Sequence, residues 1–209
     1  MSADTAPATT EAGSTAMAPT GDPLSVGLPG FVVGSVALGL QLTGFVSAAA
    51  AAAPLAIILA ASAVCTLIAT VWAARLGQNA VAAVFGVFAG FWASYAGLVL
   101  GLTHGWLPVP LEDIQHTQAL FLISWLVVVG VLTLGSLRLP LSFTAVLALV
   151  DLTLVLQIVG VLGNNTGAAK ASGFTALSFA AIGAYLFLGT VRQATGGQPL
   201  PLGRPVVTA

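Results

Sequence analysis

The chain has 209 residues, 58% of them hydrophobic and 5% charged, with a formal net charge of −1. A water-facing domain is about one quarter charged, so at a mean hydropathy of +1.06 this chain lacks the polar surface to face water all round and reads as an integral membrane protein. Its few Lys and Arg form no phosphate-binding cluster, which excludes nucleic acid as a partner, and the lone Cys65 excludes an intrachain disulfide or a cysteine-rich metal site.

Residues 1–21 are rich in Ala, Thr, Ser and Pro and predict a disordered N-terminal tail. They lack the basic start and early apolar core of a signal peptide. A bilayer core about 30 Å thick needs about 20 apolar residues per helix. Six stretches meet this length, near 24–46, 54–74, 80–103, 117–137, 139–162 and 172–191. They are too long for barrel strands and do not alternate. The prediction is an all-α, polytopic transmembrane domain of six helices over 22–192.

The first span opens with "GDPLSVGLPGFVVG". Pro23 suits a first helical turn, and Asp22 can cap it. Pro29 frees the carbonyl of Ser25, so this end is either a pore mouth or an ordinary kinked helix. Spans one and three carry the small-residue pairs Gly30/Gly34, Gly86/Gly90 and Gly97/Gly101. Such pairs let helices approach closely, either within one chain or at a subunit interface. Span two follows Pro54, and Cys65 within it reads as a buried, inert thiol. The separator "THGWLPVPLEDIQH" places His104, His116, Glu112 and Asp113 in a solvated interfacial loop, with Trp106 at the headgroups. Arg138 followed by Leu139-Pro140 divides spans four and five.

Span five contains Asp151, the only ionisable side chain between Leu139 and Leu162 and close to mid-bilayer. An ionised Asp there costs about 2.5–3.5 kcal/mol on insertion scales. No Lys or Arg lies inside any predicted span, and Arg138 is about 20 Å away along a helix. Asp151 is therefore either held neutral, because desolvation disfavours its charged form, or faces a watery path. Both make it a candidate proton site; the alternative is a neutral carboxyl hydrogen-bonded for packing alone. "GNNTGAAKASG" then reads as a polar connection, and "TGGQPLPLGRPVVTA" predicts a flexible C-terminal tail over 193–209.

With six spans, Arg75, Arg138, Arg192 and Arg204 share a side with both termini, and Lys170 lies opposite. The positive-inside rule puts both termini in the cytoplasm of a plasma-membrane protein. No nucleophile elbow, phosphate loop or HExxH motif is present, and no predicted span holds a second carboxylate or a histidine. The chain is not expected to be an enzyme or to carry a cofactor or metal. Candidate polar groups along a pathway are Gln41, Thr43, Thr66, Ser94, Tyr95, Thr144 and Gln157.

The stretch "DPLSVGLPGF" resembles the signature that opens the acetate/succinate transporter family, GPR1/FUN34/YaaH, where the pattern reads Asn-Pro-Ala-Pro-Leu-Gly-Leu and then Gly-Phe. Pro23, Gly27, Leu28, Gly30 and Phe31 match, and Asp22 replaces the Asn. Phe91-Trp92 in span three, Gly163-Asn164 after span five and the number of spans agree. The resemblance implies six-helix subunits, each with its own narrow central pore for small monocarboxylates such as acetate, assembled as a homohexamer. Uptake would be tied to protons or to the protonated acid. It implies a constriction at Phe31, Phe88 and Val150, with the Asp22–Gly30 motif at the pore entrance. The family commonly has Tyr where Phe88 stands and Leu where Val150 stands, so this neck would be drier and slightly wider. Its usual Gln and Glu in span two are replaced by Thr66 and Thr70.

If Val150 borders the neck, Asp151 points about 100° away from it, at the pore's edge or between helices. The alternatives to acetate transport are a channel for ammonia/ammonium or urea, and a non-transporting membrane scaffold.

Overall fold

A long apolar run in lipid finds no hydrogen-bond partner but itself, so it closes its own backbone bonds as a helix. The computed structural model describes residues 21–50 and 52–208 and contains six helices long and apolar enough to cross a membrane. They are α1 (Leu24–Thr43), α2 (Leu55–Arg75), α3 (Asn79–Thr103), α4 (Ile114–Gly135), α5 (Leu141–Leu162) and α6 (Thr166–Ala194). Short 3₁₀ turns at Ala48–Ala50, Leu111–Asp113 and Ser136–Arg138 lie in the connections, and no strand occurs among the described residues. The predicted N-terminal tail, except Gly21, lies outside the described residues.

The helix ends differ from the sequence expectation for local reasons. α1 stops at Thr43 because Gly44 takes φ 91°, and the N–H groups of Gly44 and Phe45 bond back to the Gln41 and Leu40 carbonyls. α6 begins at Thr166 rather than near 172, because the Asn165 side chain accepts from the Ala168 N–H at 3.0 Å. Lys170, expected in a connection, therefore lies on α6. His116 lies on α4 rather than in a loop. At the start of α1 the Asp22 carboxylate accepts from the Leu24 N–H at 2.9 Å, as a cap should. Pro29 sits inside α1, which continues through it.

α1 packs against α6 and α2; α5 packs between α6 and α4; α3 pairs with α2. Small residues set these approaches. Gly30 faces Cys65 of α2, and Gly34 faces Ser62 of α2 and Trp92 of α3. Gly39 and Gly173 bring α1 and α6 together: a Cβ at Gly39 would stand 3.1 Å from the Gly173 carbonyl oxygen. The Gly30/Gly34 pair thus serves packing within the chain, whereas Gly97 has nothing within 4 Å. α2 is π-helical over Ile58–Ala63, a widened turn that presents Ser62 to Gly34. The outer faces belong largely to α2 and α4, where Leu67, Val71, Leu120, Val131 and Leu134 are exposed.

The segment after α6, expected as a C-terminal tail, folds back as a strap without regular secondary structure. The Tyr185 hydroxyl donates to the Pro201 carbonyl at 2.9 Å. The Ser142 N–H and hydroxyl both donate to the Leu202 carbonyl, at 3.0 and 2.7 Å, and the Val207 N–H donates to the Leu137 carbonyl at 3.0 Å. Leu202 thereby satisfies an N–H at the start of α5 that the helix cannot satisfy itself.

Candidate functional site: two cavities and an aromatic neck

Residues three and four apart on a helix share a face. On α1 that spacing aligns Leu24, Leu28 and Phe31. Together with Val81, Val84, Phe85 and Phe88 of α3, Phe143, Val146 and Leu147 of α5, and Gly183 and Leu186 of α6, they line a cavity of about 150 Å³. It lies toward the helix ends that carry both termini. Its lining has no polar side chain.

A second cavity, of about 290 Å³, lies toward the opposite end. Its walls are Leu38, Phe88, Phe91, Trp92, Val150, Leu154 and Phe179, with Gln41, Tyr95, Thr103, Gln118, Thr153 and Gln157 among them. A water needs about 10–15 Å³ of such space, so each cavity has room for a small solute.

Phe88 borders both cavities. Its ring meets Phe31 edge-on, with centroids 4.7 Å apart, and Phe31 meets Phe179 at 5.6 Å. Phe31, Phe88 and Phe179 are each at most 4% exposed, and these rings close the space between the two cavities. Val150, on α5, lines the second cavity with Phe88 and Phe179. Phe88 thus touches Phe31 and shares the second cavity with Val150, and Phe179 of α6 stands beside both Phe31 and that cavity. Gly183, one turn beyond Phe179, gives the Phe31 ring its seat: a Cβ there would stand 3.2 Å from that ring.

The residues of the motif that opens α1 divide by what they touch. Leu28 faces the apolar cavity. Gly27 lies under the Phe85 ring and Gly30 against Cys65, so both set helix spacing. Asp22 caps α1, and Pro23 is buried in its first turn.

The candidate polar groups also separate. Gln41, Tyr95 and Gln157 line the second cavity. Thr43, Thr66, Ser94 and Thr144 donate to backbone carbonyls, of Leu40, Ser62, Gly90 and Ser136, at 2.9, 2.6, 2.6 and 2.8 Å. Thr70 donates to the Thr66 carbonyl at 2.7 Å. The two threonines standing near the family's usual Gln and Glu thus bond along their own helix.

Asp151 lines neither cavity. Its Oδ2 accepts from the Thr133 hydroxyl of α4 at 2.6 Å, and its Oδ1 is buried with no hydrogen-bond partner among the described residues. Of the positions open to it, it occupies the one between helices. No group of three or more His, Cys, Asp or Glu that could hold a metal occurs among the described residues.

Apolar walls reject an ion, whose desolvation would go uncompensated. They accept a small neutral molecule, and the amides and hydroxyls of the second cavity offer it hydrogen bonds.

A comparison with curated protein sequences finds no match. Among solved structures, one described as the bacterial acetate channel SatP superimposes with a TM-score of 0.79 at 20% sequence identity, over 88% of this chain and 100% of that one. The two share a fold. The profile of the GPR1/FUN34/yaaH family matches residues 6–196, and the six-span chain belongs to that family.

Proposed function

We propose that the protein is a membrane pathway for small monocarboxylic acids such as acetate, passing the neutral, protonated acid through the neck of Phe31, Phe88, Val150 and Phe179. One observation carries this reading: aromatic rings close between an all-apolar cavity and one that bears amides and hydroxyls. A carboxylate stripped of water has no partner in the apolar cavity, whereas the neutral acid buries its methyl group there and leaves its hydroxyl few bonds to lose. Moving the acid moves its proton, so proton-linked uptake needs no titrating side chain in the neck. Succinate, with two carboxyl groups to neutralise, should pass more slowly. That the solved channel of the same fold is one for acetate agrees with this substrate class.

The reading extends to setting. Both termini face the cytoplasm of the plasma membrane, since Arg75, Arg138, Arg192 and Arg204 gather at the end carrying the termini and Lys170 stands opposite. The exposed apolar faces of α2 and α4 suit lipid and the neighbouring subunits of a homohexamer.

The test uses purified protein in liposomes with labelled acetate. Above the ordinary carboxyl range the neutral fraction of the acid falls about tenfold per pH unit. Initial uptake at fixed total acetate should fall with it as pH rises, and propionate should compete. Uptake that follows total acetate regardless of pH refutes passage of the neutral acid. Urea or ammonia flux indifferent to acetate, with no acetate flux, refutes the substrate class.

A further inference from the structure

We propose that the Thr133–Asp151 hydrogen bond is a clasp that sets the selectivity of the neck, with Asp151 acting as a positioning residue for Val150. This rests on the neck being the acid's route.

The rotation of α5 about its axis decides which side chain meets the neck. Successive residues on a helix are turned by about 100°. Taking Val150 as the reference, Asp151 lies about 100° to one side and Thr153 about 60° to the other. Both flanks are tied to neighbouring helices. On the first flank the Thr133 hydroxyl donates to Asp151 Oδ2 at 2.6 Å. Two turns earlier on that flank, Thr144 donates to the Ser136 carbonyl at 2.8 Å. On the second flank, Thr153 and Thr175 of α6 share a hydrogen bond of 2.6 Å. α5 is thus held to α4 on one side and to α6 on the other, and Val150, 6% exposed, faces inward between them.

Apolar character alone cannot set this angle. α5 is apolar on almost every side, and in lipid no hydrophobic force distinguishes one face from another, so interhelical hydrogen bonds and close packing fix rotation. Asp151 is the deepest such group on the α4 side and the immediate neighbour of a neck residue. Its carboxyl needs only to accept from Thr133, a task an amide oxygen performs equally well.

The experiment measures acetate and butyrate uptake in liposomes for the intact protein and four variants. Asp151→Asn keeps the acceptor, and the butyrate-to-acetate flux ratio and the pH profile should match the intact protein. Thr133→Val keeps the shape and removes the donor, and Asp151→Leu removes the acceptor. Each should raise the ratio by about threefold, the factor an average intramembrane hydrogen bond controls. Val150→Ala reports on the neck itself and should raise the ratio without touching the clasp.

A changed ratio in Val150→Ala with unchanged ratios in Thr133→Val and Asp151→Leu overturns the clasp and leaves the neck standing. An unchanged ratio in Val150→Ala overturns the neck. If Asp151→Leu does not fold, Thr133→Val decides alone. A pH profile flattened in Asp151→Asn overturns the positioning role in favour of a titrating one.

Discussion

Replacing Gly34 with Ala tests the packing that backs the neck. A Cβ at Gly34 would abut the Ser62 hydroxyl and stand 2.8 Å from the Ser62 Cβ. Ser62 is 0% exposed and lies in the π-helical turn of α2, so it has nowhere to swing, and overpacking of this kind costs about 1–3 kcal/mol. The exchange also returns about 1 kcal/mol of helix propensity. Gly97→Ala on α3 supplies the reference: the same propensity gain with nothing within 4 Å. The difference between the two variants therefore isolates the clash. At about 2–4 °C per kcal/mol for a chain of this size, Gly34→Ala should melt about 2–12 °C below Gly97→Ala. Thermal unfolding of both purified proteins in one detergent, followed by tryptophan fluorescence, reads this directly. Adding Ser62→Gly to Gly34→Ala should recover most of the loss. A Gly34→Ala protein that melts at or above Gly97→Ala refutes the close α1–α2 approach. Because Phe31 lies one turn from Gly34 on α1, the same variant should also lose acetate flux.

Phe179→Ala removes one ring of the neck. A methylene of fit in an apolar site is worth about 1–3 kcal/mol, so the butyrate-to-acetate flux ratio should rise by about tenfold or more; an unchanged ratio removes Phe179 from the route. Asp22→Ala deletes the acceptor that caps the Leu24 N–H, and thermal unfolding should show a loss of about 0.5–2 kcal/mol, recovered by Asp22→Asn. Tyr185→Phe breaks the bond to Pro201 at a cost of about 0.5–1.5 kcal/mol. Limited proteolysis should then cut the strap faster, and an equal cutting rate counts against the docked strap.

The spans were legible because twenty-residue apolar runs have no other way to satisfy their backbone in lipid. Phe31, Phe88 and Val150 were named from the family resemblance, not from their own neighbourhood. Phe179 shows why. It stands in "ALSFAAIGAYLF", where every face is apolar, and an aromatic turned toward the neck reads the same as one turned toward lipid. Asp151 announced itself as a carboxyl in a greasy run, but its partner did not: Thr133 is one threonine among many, on another helix. The π-helical turn at Ile58–Ala63 has no sequence signature in "ILAASA". Neither does the strap, whose "GGQPLPLGRP" carries the turn chemistry of a free tail. Its order comes from the unsatisfied N–H of Ser142 and the hydroxyl of Tyr185, which only the folded bundle brings to it.

That strap gives the chain's maturation an order. Leu202 and Val207 follow all six helices in the chain, yet they answer N–H and carbonyl groups at Ser142 and Leu137. Until residues 202–207 dock, the start of the fifth helix must rely on water or lipid headgroups for those bonds. A chain truncated before residue 200 would keep all six helices and leave this corner unlocked.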